Sequence, residues 1–76
     1  MMDIKLPPLA EGVDKASVSY WFKRPGDTVK EGEELVELVT DKATFSMPSP
    51  AAGKIKELLV GEGDSALVGQ PIAIIE

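Results

Sequence analysis

The chain contains neither cysteine nor histidine. Without thiols there can be no disulfide and no thiol nucleophile, and without imidazole the usual general base and the commonest metal ligand are gone. Independent catalysis is therefore not expected. A cysteine-free chain is also consistent with an intracellular module. Basic residues are scarce relative to acidic ones, eight against thirteen, for a formal charge of −5. That balance argues against a nucleic-acid backbone or an anionic membrane surface as the main partner. A long apolar run is missing, as is a basic start followed by a hydrophobic stretch, so neither a membrane span nor a secretion signal is expected. At 76 residues there is room for one modest core and little for a cavity lined by spare side chains. A single domain over residues 1–76 is expected, a module rather than a self-sufficient enzyme.

What is present is the composition of a folded chain, 43% hydrophobic and 28% charged, rather than that of a disordered tail. Glycine and proline interrupt it every few residues, at Pro7, Pro8, Gly12, Pro25, Gly26, Gly32, Pro48, Pro50, Gly53, Gly61, Gly63, Gly69 and Pro71. Helical periodicity is hard to find between them, and the spans suit strands. Strands are predicted over 4–6, 17–23, 28–29, 35–40, 43–48, 54–60, 65–66 and 72–75. The fold class is all-β.

An internal repeat organises these strands. Gly26-Asp27-Thr28 and Gly63-Asp64-Ser65 lie 37 positions apart, as do Gly32 and Gly69. In the same register Val18 matches Ile55, Trp21 matches Leu58, Phe22 matches Leu59, Leu35 matches Ile72, Val36 matches Ala73 and Leu38 matches Ile75. Apolar meets apolar each time. Such a repeat implies two copies of one unit packed about a pseudo-twofold axis, each covering the other's apolar face. Val18 and Trp21 are three apart, as are Ile55 and Leu58, which breaks the period of two of a plain strand. A β-bulge is predicted in each copy. The repeated glycines are assigned to turns rather than to a phosphate cradle, because their spacing is G-D-x-x-x-x-G and no helix follows. Trp21 and Phe22 are likewise assigned to core or half-buried packing, since leucine replaces both in the second copy.

Between the copies, Leu35 to Pro48 reads as two extended arms around a short polar apex containing Asp41 and Lys42. The apex lacks glycine, which favours type I over type I′ geometry. It would hold Lys42 outward, and the pivot of the pseudo-symmetry would put the chain ends across the molecule from it. An exposed turn lysine is by itself weak evidence, because the chain has six others.

The segment Glu37-Leu38-Val39-Thr40-Asp41-Lys42-Ala43-Thr44-Phe45-Ser46-Met47-Pro48-Ser49-Pro50-Ala51-Ala52-Gly53 resembles the modification site of lipoyl domains from 2-oxo acid dehydrogenase complexes. Leu6-Pro7, Glu11-Gly12, Trp21-Phe22-Lys23, Pro25 to Val29, Gly61 to Asp64 and Val68-Gly69-Gln70 extend the resemblance along nearly the whole chain. Pro8-Leu9-Ala10 departs from that family's commoner acidic, glycine-containing loop, which bears on partner choice more than on fold. The resemblance implies a flattened β-barrel (a barrel-sandwich hybrid) of two four-stranded antiparallel sheets, with lipoic acid in amide linkage to Lys42. Attachment would neutralise one ammonium and make the domain one unit more negative. Asp41 and Ala43 flank the lysine and, with Glu11 and Asp14 of the preceding loop, are the recognition residues that it implies. Asp41 is equally explicable as a turn residue, and Glu11 and Asp14 as a solvated surface.

The resemblance further implies a swinging-arm carrier that shuttles acyl groups and electrons, most naturally part of a larger dihydrolipoyl acyltransferase chain. Its partners would be a thiamine-dependent 2-oxo acid decarboxylase, the acyltransferase core, dihydrolipoyl dehydrogenase and a lipoate-attaching enzyme. Pyruvate is the first choice of 2-oxo acid, ahead of branched-chain acids and 2-oxoglutarate. The isolated domain is expected to be monomeric, and its setting the bacterial cytoplasm or the mitochondrial matrix. Two other readings stay open. A biotinyl carrier shares the fold but usually has methionine on both sides of the lysine, where this chain has Asp41 and Ala43; Met47 is too distant and is assigned to packing. An unmodified barrel-sandwich interaction module would leave Lys42 an ordinary turn residue.

Overall fold

The computed structural model describes residues 1–76. Its eight strands are β1 (Met2–Lys5), β2 (Lys15–Trp21), β3 (Thr28–Val29), β4 (Glu34–Val39), β5 (Thr44–Pro48), β6 (Gly53–Leu58), β7 (Ser65–Leu67) and β8 (Pro71–Ile75). They form two antiparallel four-stranded sheets, ordered β1-β8-β6-β3 and β5-β4-β2-β7. The molecule measures 32 × 20 × 17 Å, a flattened sandwich whose sheets do not join into a closed cylinder. No helix is long and apolar enough to cross a membrane.

The repeat is written into the ladder. Under the 37-residue shift β2, β3 and β4 map onto β6, β7 and β8, and each sheet has the same order of equivalents. Residues skipped in the pairing obey the shift too. Ser19 of β2 and Lys56 of β6 have no partner opposite, and neither do Leu35 of β4 and Ile72 of β8. The first pair are the bulges predicted from the three-residue spacing. The second pair lets two successive side chains turn inward, Leu35 with Val36 and Ile72 with Ala73, all fully buried. Alternation alone would have exposed one of each pair.

The turns repeat as closely. Asp27 N–H donates to the Arg24 carbonyl at 2.9 Å and Asp64 N–H to the Gly61 carbonyl at 3.0 Å. Each turn is tightened when its aspartate side chain accepts the N–H of its first residue, Arg24 at 2.9 Å and Gly61 at 2.8 Å. Gly26 and Gly63 occupy the third position of these turns at φ of 94° and 93°. That conformation at the third position, with Pro25 at the second in the first copy, identifies type II turns, where a side chain would be strained.

One cluster of sixteen buried residues fills the space between the sheets, with Trp21, Leu35, Leu38, Ile55 and Ile72 among its largest members. Each fully buried Leu or Ile contributes about 1.5–3 kcal/mol. Trp21 also has its polar edge satisfied, because Nε1 donates to the Val60 carbonyl at 3.0 Å. Met47 is buried, as its packing role requires. Phe22 does not join the core: it is 37% exposed and lies edge-on to Tyr20 at 5.2 Å.

Several strand limits differ from the predicted ones because a strand ends where its partner does. β1 begins at Met2, two residues early, since Met2 faces Ile75 across the ladder. β2 begins at Lys15 opposite Leu67 of β7 and stops at Trp21, where the chain leaves for the Arg24 turn. β6 stops at Leu58 rather than Val60, ahead of the Gly61 turn. β3 falls where predicted.

Candidate functional site

Lys42 stands at the exposed tip of the β4–β5 hairpin. Strand pairing runs out at Val39 opposite Thr44, leaving four residues to reverse the chain. None of them is glycine and none has positive φ, which excludes a type I′ turn. The ordinary closing bond from the Ala43 N–H to the Thr40 carbonyl is not made. Instead Thr40 Oγ1 accepts the Ala43 N–H at 3.0 Å and the Lys42 N–H at 3.2 Å, and donates to the Ala43 carbonyl at 3.0 Å. Thr40 N–H donates to that same carbonyl at 2.8 Å. The type I expectation is therefore right about backbone sign and incomplete about closure, which a side chain performs.

The Lys42 side chain makes neither a salt bridge nor a hydrogen bond; the chain's ion pairs are Lys23 with Glu33 and Arg24 with Glu62. The amine lies over the β1–β2 loop, with its Nζ 3.6 Å from where a β-carbon on Gly12 would stand. Hairpin and loop are thus neighbours. A cleft of about 450 Å³ opens between them, lined by Gly12, Asp14, Lys15, Ser17, Thr40 and Asp41 among others.

Of the residues singled out from sequence, Asp14 and Asp41 share this cleft. Ala43 is exposed beside Lys42, and Glu11 is exposed on the loop but does not line the cleft. Asp41 makes no side-chain hydrogen bond, so the turn-forming role that could have explained it belongs to Thr40. Thr40 was the residue that sequence reasoning passed over. Its signal was available: a hydroxyl side chain immediately before a glycine-free apex can hydrogen-bond the backbone two and three residues on.

Across the pseudo-twofold the hairpin tip maps onto the chain ends. Met2 pairs with Ile75, and Glu76 exchanges backbone bonds with Lys54 at 2.9 and 3.2 Å. The ends are adjacent to each other and remote from Lys42. A primary amine that is solvent-facing, unpaired and held on a closed hairpin fits a group attached by an amide bond, since acylation would break no ion pair and displace no packed atom.

Residues 2–75 match the family model described as "Biotin-requiring enzyme", the biotin/lipoyl family. The chain is 44% identical over 75 residues to the dihydrolipoyllysine-residue succinyltransferase component of the 2-oxoglutarate dehydrogenase complex of Staphylococcus saprophyticus, covering 99% of this chain and 18% of that protein. It is 44% identical over 70 residues to the dihydrolipoyllysine-residue acetyltransferase component of the pyruvate dehydrogenase complex of Bacillus subtilis, covering 92% and 16%. It therefore spans less than a fifth of the length of these curated relatives. Among solved structures, the lipoyl domain of the 2-oxoglutarate dehydrogenase complex of Azotobacter vinelandii superimposes with a TM-score of 0.78 at 34% identity, covering all of this chain and 96% of that one.

Proposed function

Because the chain belongs to the biotin/lipoyl family over nearly its whole length, we propose that it is a lipoyl carrier module, residues 1–76, with Lys42 as the attachment point. The observation that carries this reading is the placement of Lys42, the unpaired amine at the apex of a closed hairpin, in a fold matched across its full length by a lipoyl domain. Lipoic acid is the cargo rather than biotin, on the strength of Asp41 and Ala43 beside the lysine and of relatives named for dihydrolipoyl-lysine. Relatives from the 2-oxoglutarate complexes match at 40–45% identity and those from the pyruvate complexes at 36–44%, overlapping ranges, so the substrate class is 2-oxo acids.

When bound, the dithiolane of the lipoyl group supplies the acyl- and electron-carrying chemistry. The chain's own residues do something simpler. Lys42 provides the amine, and the Thr40 side chain and the β4–β5 ladder hold its backbone at the exposed hairpin tip. The loop carrying Glu11 and Asp14 presents a surface beside it for the thiamine-dependent decarboxylase and the attaching enzyme to read. The chain ends, on the far side, are free to be tethered to an acyltransferase core. Tethering raises the effective concentration of the arm at several active sites in turn, the dihydrolipoyl dehydrogenase included. The absence of cysteine leaves no internal thiol to exchange with the dithiolane.

The test is the intact mass of the chain after co-expression with a lipoate ligase and free lipoate. A gain of one lipoyl amide, abolished in Lys42→Ala, is expected. A folded wild-type chain that gains no mass would refute the reading, and a gain of biotin from a biotin ligase instead would replace it with the biotinyl carrier.

A further inference from the structure

We propose that Thr40 is the positioning residue for acylation of Lys42, an inference that rests on Lys42 being the attachment point. The Lys42 N–H belongs to the peptide plane before its α-carbon and the Ala43 N–H to the plane after it. Both donate to one oxygen, Thr40 Oγ1, at 3.2 and 3.0 Å. Because peptide units are planar, anchoring an N–H of each to one oxygen restricts φ and ψ of Lys42 and so the direction in which its Cα–Cβ bond leaves the backbone. The same hydroxyl donates to the Ala43 carbonyl at 3.0 Å, closing the loop from the other side. No other side chain hydrogen-bonds the tip: Asp41 makes no such bond, and the apex contains neither glycine nor proline to preset its shape. The direction of the attachment lysine is therefore set by a hydroxyl two residues upstream.

The reaction that this orients is acyl transfer. The Lys42 ammonium gives up a proton, and the free amine attacks the carboxyl carbon of a lipoyl group activated as a mixed anhydride by the attaching enzyme. A C–N bond forms, the bond from the acyl carbon to its phosphate leaving group breaks with the electron pair on the leaving group, and the nitrogen loses a second proton. Neither proton transfer is assigned to this chain. Its contribution is to set the direction in which the Lys42 Cα–Cβ bond leaves the tip, so that the attaching enzyme has only the side-chain torsions left to align, and misdirection near the reacting atoms is costly in rate.

The experiment follows lipoylation of the whole chain by a lipoate ligase with lipoate and ATP, read as intact mass against time, for wild type, Thr40→Ser and Thr40→Val. Backbone amide hydrogen exchange is measured on the same unmodified proteins. Valine keeps the branched shape and removes the hydroxyl; serine keeps the hydroxyl. Thr40→Val is expected to lose about tenfold in kcat/KM, with faster exchange confined to the Lys42 and Ala43 amides. Thr40→Ser is expected to stay within about twofold of wild type, a rescue that loss of packing at the methyl group would not give. Wild-type rates in Thr40→Val would overturn the proposal while leaving the attachment reading intact. Collapse of the fold in Thr40→Val would also overturn it, since the hydroxyl would then hold the domain rather than the tip. A wild-type chain that is not modified at Lys42 would remove both.

Discussion

At the scale of single residues, Lys42 and Gly53 form opposite cases. Lys42 is exposed and bonded to nothing through its side chain, so its contribution to folding is small. Lys42→Ala should abolish modification while shifting stability by no more than about 0.5 kcal/mol, read from thermal or urea unfolding; a large drop would contradict the displayed-tip geometry. Gly53 is invisible to function and critical to packing. A β-carbon there would collide with the Ile75 Cγ2 and lie 2.8 Å from the Glu76 carbonyl oxygen, at the end of the neighbouring strand β8 and in the residue that follows it. Gly53→Val should cost about 2 kcal/mol or more through overpacking, seen as a lowered urea midpoint, while Lys42 in the fraction still folded remains modifiable.

At the scale of elements, the turn between β3 and β4 offers a test by pH. Glu33 Oε1 accepts the Lys30 N–H at 3.0 Å and Oε2 pairs with Lys23 at 3.1 Å. The backbone hydrogen bond first, and the Lys23 ammonium second, hold the Glu33 carboxyl below its ordinary value of 4.5. A carboxylate with a depressed folded-state pKa contributes stability that is fully present above the unfolded value and is lost as pH falls through the folded one. Wild type should therefore lose stability as pH falls below about 4.5, and Glu33→Gln should show a shallower loss over that window. Both slopes are obtained from urea midpoints measured at successive pH values. Equal slopes in the two proteins would mean that the hydrogen bond is not maintained in solution. Gln70 makes the equivalent bond in the second copy, accepting the Leu67 N–H at 3.0 Å, without a charge to titrate. The two turns share a shape and differ in pH response.

At the scale of the whole molecule, the halves are interleaved. β3 of the first half sits at the edge of the sheet built on β6 and β8, and β7 of the second half at the edge of the sheet built on β2 and β4. Each half also leaves its share of one common core uncovered. Peptides 1–41 and 42–76, cut at the hairpin tip so that β4 and β5 stay whole, should therefore show no cooperative unfolding alone, and an equimolar mixture should recover strand signal in circular dichroism. A cooperative transition in either isolated half would show that the exchanged strands are dispensable.

Much of this architecture was legible beforehand. The 37-residue repeat, the turn glycines and the bulges implied by Val18–Trp21 and Ile55–Leu58 are consequences of backbone geometry acting over a few residues, and such constraints leave a mark wherever the chain must bend. The position of Lys42 at the pivot of the repeat was legible for the same reason. Other features depend on what lies across a gap in sequence. The strand limits at Met2 and Lys15, the paired bulges at Leu35 and Ile72, the exchange of β3 and β7, and the approach of Gly12 to the Lys42 amine could be decided only by the tertiary structure, because each is set by a partner that local pattern does not name. Thr40 lies between the two: its hydroxyl was in plain view, but only the folded tip shows that both peptide planes around Lys42 converge on it.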